Sequence, residues 1–200
     1  MSASKEKPII MSSPMVRAIL DGHKSVTRRV IKPQPNWRNT YLWTPLSNGR
    51  WINGCIAAGT QTEWKCPYQI GQILWVRETW AIDEDDQIVI FYRATDNETC
   101  GNPWRPSIHM PRWASRITLE ITDVRVERVP EISEKDARSE GIIDGGCLNC
   151  GESEPCGCNS PQPDARDAFI YLWNSINEKH GFGWHLNPWV WVITFKRIKP

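Results

Sequence analysis

The sequence predicts an α+β fold, a small β-barrel with flanking helices, and three observations support this. Apolar and polar residues alternate over Ile73–Trp80 and Arg116–Val129, as they do in half-buried strands. The stretch Trp189–Phe195 is apolar at nearly every position, which is typical of a central strand covered on both faces. Three segments have helical periodicity. Several strands interrupted by few helices, without internal repeats, favour a mixed barrel over a helical bundle.

A helix and a strand open the predicted fold. Ser13-Pro14 combines a capping residue with proline at the first helical position, and Gly22 supplies the helix end. Val26–Ile31 is the first predicted strand, and the prolines that follow end it. Strict alternation along a strand places Lys24 and Thr27 on opposite faces. The two side chains therefore cooperate only if Lys24 lies in the turn before the strand.

A single domain over residues 1–200 is expected, with two insertions. Residues 36–66 are rich in Trp, Asn and Gly without a clear period, which predicts a long excursion or an inserted hairpin. Residues 144–163 predict a loop rich in Gly, Cys, Pro and Ser. Between the insertions, Ile88–Tyr92 predicts a strand and residues 95–114 a loop. Two C-terminal helices complete the prediction: one from Ser133 to Gly141, and one capped by Asp164 with an apolar stripe of Ala165, Ala168, Phe169, Leu172, Trp173 and Ile176.

Charge is unevenly distributed, although the formal net charge is only +1. Residues 1–50 carry nine Lys or Arg against two acids, whereas residues 131–164 carry eight acids against two bases. The basic part suits an anionic partner such as a nucleotide or nucleic acid, and the near-neutral whole excludes the strongly basic class that coats duplex DNA. No apolar run reaches the length of a membrane span, and the polar first residues lack the apolar stretch of a signal peptide. A cytoplasmic protein without a membrane partner is expected.

The segment Gly22–Arg29 concentrates reactive groups at the junction between the first helix and the first strand. It contains an amine, two hydroxyls and two guanidinium groups. A lysine shielded from water can lose its proton and act as a base, and a hydroxyl needs a base to become a nucleophile. The arginines suit a phosphate or another anion. A solvated basic turn is the alternative interpretation of the same residues.

Taken along the whole chain, these motifs resemble the ASCH domain, a family of the PUA-like superfamily of β-barrels. The resemblance leaves out only residues 36–66 and 144–163. The longer pattern, which includes the residues from Arg105 to Arg116, resembles the phage- and prophage-encoded branch and implies a bacterial host cell. The matching positions are Gly22, Lys24, Thr27, Arg29, Gly71, Leu74, Val76, Glu78, Ser133, Glu134, Ala137, Glu140, Gly141, Trp191, Val192 and Phe195.

The resemblance implies a nucleoside, RNA or another nucleic acid as the partner, bound in a cleft beside the barrel. One small ASCH enzyme type hydrolyses the amide of N4-acetylcytidine with a lysine, a threonine and a glutamate. Carried over by position, these catalytic residues are Lys24, Thr27 and Glu140. Neutral Lys24 would take the proton of Thr27, Thr27 would attack the acyl carbon, and Glu140 would protonate the leaving amine. No organic cofactor is implied.

Two other functions stay open at this point. The chain is alternatively a non-catalytic module of a phage that reads RNA or modified DNA. For Glu140 itself, the alternative interpretation is a solvated residue at a helix end near Gly141. A nuclease is the second alternative. The candidate catalytic residues for a nuclease are limited to Glu78, Glu140 and His109. The candidate substrate-binding residues, nominated for phosphate contacts, base reading or stacking, are Arg29, Arg77, Glu78, His109, Arg112, Trp113 and Arg116.

Four cysteines lie within twelve residues of the second insertion, at Cys147, Cys150, Cys156 and Cys158. Thiols of a cytoplasmic protein are reduced, so grouped cysteines favour metal binding over disulfides. Two closely spaced pairs can close tetrahedrally around a structural zinc ion, which would order an otherwise polar loop. A cysteine-rich insertion without metal is the alternative.

Overall fold

The computed structural model describes residues 6–35, 43–46, 50–53, 62–83, 89–142, 159 and 165–198. The described residues form ten strands: β1 (Lys7–Ile10), β2 (Val26–Val30), β3 (Trp43–Pro45), β4 (Arg50–Asn53), β5 (Thr62–Lys65), β6 (Ile73–Arg77), β7 (Trp80–Asp83), β8 (Val89–Tyr92), β9 (Thr118–Arg128) and β10 (Trp189–Ile198). They also form three α-helices: α1 (Ser13–Leu20), α2 (Glu134–Ser139) and α3 (Ala165–Asn177). The predicted α+β class is confirmed.

A five-stranded sheet in the order β1-β6-β9-β10-β2 organises the molecule. Its edge strands, β1 and β2, approach each other at one point, because Arg29 Nη2 donates a hydrogen bond to the Ile10 carbonyl at 2.8 Å. No backbone pairing joins these two edges in the described residues, so a closed barrel is not confirmed. The strands β2 and β6 are separated in the sheet by β9 and β10.

The last strand is central, as its doubly apolar sequence predicts. β10 pairs antiparallel with β9 on one side and with β2 on the other. One face of the sheet covers a core around Leu74, Leu119, Trp191 and Ile193. The opposite face packs Val26, Val190 and Val192 against α2 and α3, including Phe169 and Trp173. Apolar side chains on both faces therefore have a partner layer.

Three details differ from the sequence-based expectations. Lys7–Ile10 forms a short strand parallel to β6 that was not predicted. The predicted strand Ile73–Trp80 divides into β6 and β7, because Glu78 is buried at the break and turns toward a loop arginine. The first insertion contributes a three-stranded antiparallel sheet, β3-β4-β5, rather than a single hairpin. Its tryptophans pack edge-on against Trp191 of β10.

The helix termini follow their sequence signals. α1 has proline in its first turn, and the Ser133 hydroxyl before α2 accepts a hydrogen bond from the Asp136 N–H at 3.1 Å. Gly141 follows α2 with φ at +87°, where glycine is favoured because it has no Cβ. A Cβ at this position would lie 2.7 Å from the Ala18 Cβ and 3.2 Å from the Lys24 Cβ. Gly141 therefore permits α2 to end directly against α1 and Lys24.

We expect Gly141→Ala to lower the free energy of unfolding by about 2 kcal/mol or more, because left-handed backbone strain and a clash act together. Gly71→Ala is the matched control. Its φ is +78°, but a Cβ there meets nothing within 4 Å, so only the strain remains. Urea unfolding of both variants measures the difference. Equal destabilisation of the two would contradict close packing of Gly141 on Lys24.

None of the helices in the described residues is long and apolar enough to span a membrane.

Candidate active site

The candidate site lies along one edge of β2, which among the described residues pairs as a strand with β10 alone. The Ser25 carbonyl and the Ile31 N–H both bond to β10. Backbone groups of alternate residues point the same way in an antiparallel pair, so those of Val26, Arg28 and Val30 point away from β10. The strand edge therefore offers backbone donors and acceptors to a ligand.

Lys24 lies in the turn before β2, as required if it cooperates with groups on that strand. The Gly22 turn folds the chain back, so that the Lys24 N–H donates to the Ala18 carbonyl at 2.9 Å. Its buried ammonium group donates three hydrogen bonds, each of 2.7 Å, to the Val26 carbonyl, the Glu140 carbonyl and Glu140 Oε2. All three ammonium protons therefore have acceptors.

Glu140 reaches the site from the end of α2. An isolated β-bridge joins Lys24 and Glu140, and the Ser25 N–H donates to the Ser139 carbonyl at 2.9 Å. Only 4% of Glu140 is exposed, so its carboxylate needs compensating donors. Lys24 supplies one, and Arg28 Nη1 supplies the other at 3.2 Å. Glu140 is therefore a buried, ion-paired residue. The alternative interpretation, a solvated glutamate at a helix end, is wrong.

Arg28 links Glu140 to a larger set of charges. Its Nη2 lies 3.2 Å from both Glu127 Oε2 and Asp136 Oδ2. Arg125 bonds to the same two acids, through Nη2 to Asp136 at 3.0 Å and through Nε to Glu127. Arg28 Nε is buried and has no hydrogen-bond partner among the described residues. The network fixes the Glu140 carboxylate from the side opposite Lys24.

A cavity of about 260 Å³ adjoins this network. Thr27, Arg28 and Glu140 contribute polar groups to its wall, and Phe169 and Trp173 of α3 contribute aromatic rings. Phe182, Lys32 and His180 are further lining residues. The wall of the cavity thus includes both polar and aromatic residues.

Thr27 is a buried polar residue of the cavity wall. Only 3% of it is exposed, and its hydroxyl forms no hydrogen bond with any other described residue. Most buried hydroxyls are hydrogen-bonded in folded proteins, so an uncommitted one beside a cavity is available to a ligand. Thr27, Arg28, Lys24 and Glu140 are four of the six polar residues that are buried in the described part of the chain.

Burial favours the neutral form of the Lys24 amine. Removal from water lowers the pKa of Lys24, and the charges of Arg29 and Arg28 act in the same direction. The Glu140 carboxylate opposes the shift because it stabilises the ammonium ion. The net effect lowers the pKa of Lys24. Its amine therefore becomes deprotonated, and able to act as a base, at a lower pH than the amine of an exposed lysine.

The nominated substrate-binding residues fall into two groups. Arg29 lines the cavity, whereas the other six line neither this cavity nor the neighbouring one along β2. Glu78 is buried and forms a two-pronged ion pair with Arg116, at 3.0 Å for each contact. Burial raises the pKa of Glu78, and Arg116 opposes that shift. This pair holds the loop before β9 against β6.

Three of the remaining four nominated residues, His109, Arg112 and Trp113, lie in the loop before β9, and the fourth, Arg77, ends β6 and contacts this loop. Arg77 donates to the Ile108 carbonyl, and Arg112 forms an ion pair with Glu6. Trp113 is exposed and contacts Trp80 edge-on, and His109 is exposed. Their contacts within the described structure are thus those of a loop held to the sheet.

The sequence interpretation missed Arg28 and the aromatic wall of α3. Arg28 shares a face of β2 with apolar Val26 and Val30. A charged residue on an otherwise apolar face needs buried partners, so this pattern could have predicted the buried ionic network from the sequence. Phe169 and Trp173 were assigned to an apolar stripe, which is correct, but the stripe also borders the cavity.

The predicted zinc ligands Cys147, Cys150, Cys156 and Cys158 lie outside the described residues, so the zinc site stays a prediction. Within the described ranges, no group of three or more His, Cys, Asp or Glu residues is arranged to hold a metal ion.

No protein-family model matches the chain. No curated protein matches it. Among solved structures it is similar to an ASCH domain from Lactobacillus crispatus JV V101, with 12% identity, a TM-score of 0.44, and 96% of this chain and 79% of that chain covered. It is also similar to protein EF3133 from Enterococcus faecalis V583, of family-model DUF984, with 7% identity, a TM-score of 0.42, and 96% and 80% covered. Structural similarity at this level does not support an argument about function. The argument about function rests on the contacts described above.

Proposed function

We propose that the chain is an ASCH-type domain that binds a pyrimidine nucleobase in the cavity beside β2 and hydrolyses an N4-acyl amide on that base. One observation supports this above the others. Thr27 and Glu140, two buried polar residues, line the same cavity, and Lys24 forms a 2.7 Å hydrogen bond to the Glu140 carboxylate. Two of the three residue types needed for acyl transfer thus line one cavity, and the third, Lys24, is hydrogen-bonded to Glu140 behind its wall.

The cavity wall suits a flat heterocycle with polar edges. Phe169, Trp173 and Phe182 line the cavity, so a flat ring bound there would lie against aromatic side chains. The open edge of β2 provides the backbone N–H and C=O of Arg28 and Val30 for the hydrogen-bonding edge of a base.

The proposed reaction begins with the neutral form of the Lys24 amine, which its lowered pKa favours. The neutral amine has one N–H fewer and releases one of its three acceptors. Lys24 then takes the proton of the Thr27 hydroxyl, whose oxygen attacks the acyl carbon. Lys24 passes this proton to Glu140, and Glu140 delivers it to the departing N4 amine, which leaves cytosine and an acyl-threonine. Water hydrolyses that ester and restores Thr27.

Incubation with a panel of N4-acylated cytosine nucleosides, followed by mass spectrometry, tests this function. We expect conversion of N4-acetylcytidine to cytidine and acetate. A panel with no turnover, together with no detectable binding of cytidine by calorimetry, would refute the proposal.

We expect kcat/KM for N4-acetylcytidine to rise with pH, with a midpoint below the usual lysine range. Burial lowers the pKa of Lys24, and only its deprotonated form serves as the base. Steady-state rates from about pH 5 to pH 10 measure the profile, because this range spans the shifted and unshifted values. A profile that is flat or that falls throughout would exclude Lys24 as the base.

Binding without hydrolysis is the second candidate function, and one observation favours it. The three acceptors around Lys24 Nζ satisfy an ammonium ion completely, which is the arrangement of a structural lysine. In that case cytidine still binds, N4-acetylcytidine is not converted, and removal of the Thr27 hydroxyl changes affinity little. Calorimetry and turnover, measured on the same samples, separate the two functions.

A further inference from the structure

A second cavity, of about 480 Å³, follows the first along the edge of β2. Arg29, Val30 and Lys32 line both cavities, so the two meet along one strand. The first insertion supplies the far wall of the second cavity, through Trp64 and Lys65 of β5. The Trp64 indole N–H donates to the Pro33 carbonyl at 3.1 Å, which fixes β5 against the end of β2.

The second cavity has aromatic side chains of its own. Trp64, Tyr68 and Trp191 line it, and Trp191 is buried whereas Trp64 and Tyr68 are partly exposed. Ring faces that are neither fully buried nor fully solvated can stack on a planar ligand. The second cavity therefore repeats the aromatic character of the first.

Cationic side chains line the part of the wall that the two cavities share. Arg29 and Lys32 line both, and Lys65 lines the second. Among the described residues none of these three side chains forms an ion pair with a carboxylate, whereas the acid of the second cavity, Glu63, is paired with Arg50. Unpaired cations between two aromatic pockets suit an anion that joins two planar groups.

We propose that the second cavity binds the nucleotide adjoining the base held in the first, so that the ligand is a base within a single strand of nucleic acid rather than a free nucleoside. Arg29, Lys32 and Lys65 contact the phosphate between the two nucleotides, Arg29 and Lys32 from the wall that both cavities share and Lys65 from the second cavity. This proposal rests on base binding in the first cavity and assigns the first insertion a role in recognition.

Calorimetry with cytidine and with the dinucleotides CpU and UpC tests the proposal. Both orders are needed because the strand can run in either direction along β2. We expect one dinucleotide to bind at least about tenfold more tightly than cytidine, which is the scale of one stacked base plus one phosphate contact. Lys65→Ala should reduce this gain and leave cytidine affinity unchanged, because Lys65 lines only the second cavity.

The Lys65 side chain is exposed, so Lys65→Ala leaves the packing intact, and Lys135→Ala is the matched control because that exposed lysine lines neither cavity. The plot of log affinity against log salt for the dinucleotide should become shallower by about 0.7 in Lys65→Ala only. Dinucleotides that bind no better than cytidine, or a gain that Lys65→Ala does not reduce, would overturn the second site while base binding stands. Failure of all three ligands to bind would refute both proposals.

Discussion

Replacement of Thr27 by valine is expected to reduce kcat for N4-acetylcytidine by a factor of about 10³ or more, because the variant lacks the attacking oxygen. Valine has nearly the same shape as threonine, so the buried position in the cavity wall stays filled. Cytidine affinity should change little, since the wall of the cavity keeps its form. Thr27→Ser is the matched control, because it retains the hydroxyl and should retain measurable turnover.

Initial rates by chromatography and affinities by calorimetry on both variants measure this effect. Undiminished turnover in Thr27→Val would show that another group attacks the amide. Equal loss in Thr27→Ser and Thr27→Val would assign the effect to packing instead of to the hydroxyl.

The second large effect concerns stability. Glu140→Gln should lower the free energy of unfolding by about 3 kcal/mol at neutral pH, because it leaves the buried ammonium of Lys24 without a counter-charge. Lys24→Met combined with Glu140→Gln should recover most of that loss, since neither charge then remains in the pair. Turnover should be absent in both. Glu98→Gln, at an exposed acid without an ion pair among the described residues, is the control.

The pH dependence of the Glu140→Gln variant follows from the same pair. Without the carboxylate, the pKa of Lys24 in the folded state falls further below its unfolded value. Between these two values the unfolded chain binds more protons than the folded one, so stability rises with pH across that window. Urea unfolding at several pH values measures the slope. A stability of Glu140→Gln that falls with rising pH would contradict a buried, unpaired Lys24.

Local patterns predicted the elements that depend on nearest neighbours. The Ser13-Pro14 start of α1, the capping of α2 and the long strand β9 follow from residues that interact within a turn or along one strand. The central place of β10 followed from its apolar residues on both faces. These features need no knowledge of which elements meet.

Long-range pairing was harder to predict. The meeting of Lys24 with Glu140 joins residues 116 positions apart, and only the family resemblance indicated it. Arg28 was missed because alternation assigns its face but not its partners on β9 and α2. The strand break at Glu78 depends on Arg116, which the local sequence does not show. Loop arginines such as Arg112 were nominated for a ligand, whereas the structure pairs Arg112 with Glu6.

A crystal structure of Thr27→Val with N4-acetylcytidine bound measures the central claim most directly. We expect the base to lie between the Phe169–Trp173 wall and the edge of β2, with its acyl carbon next to residue 27 and its N4 atom facing Glu140. A base bound outside this cavity, or an acyl group that points away from residue 27 and Glu140, would contradict the proposed site.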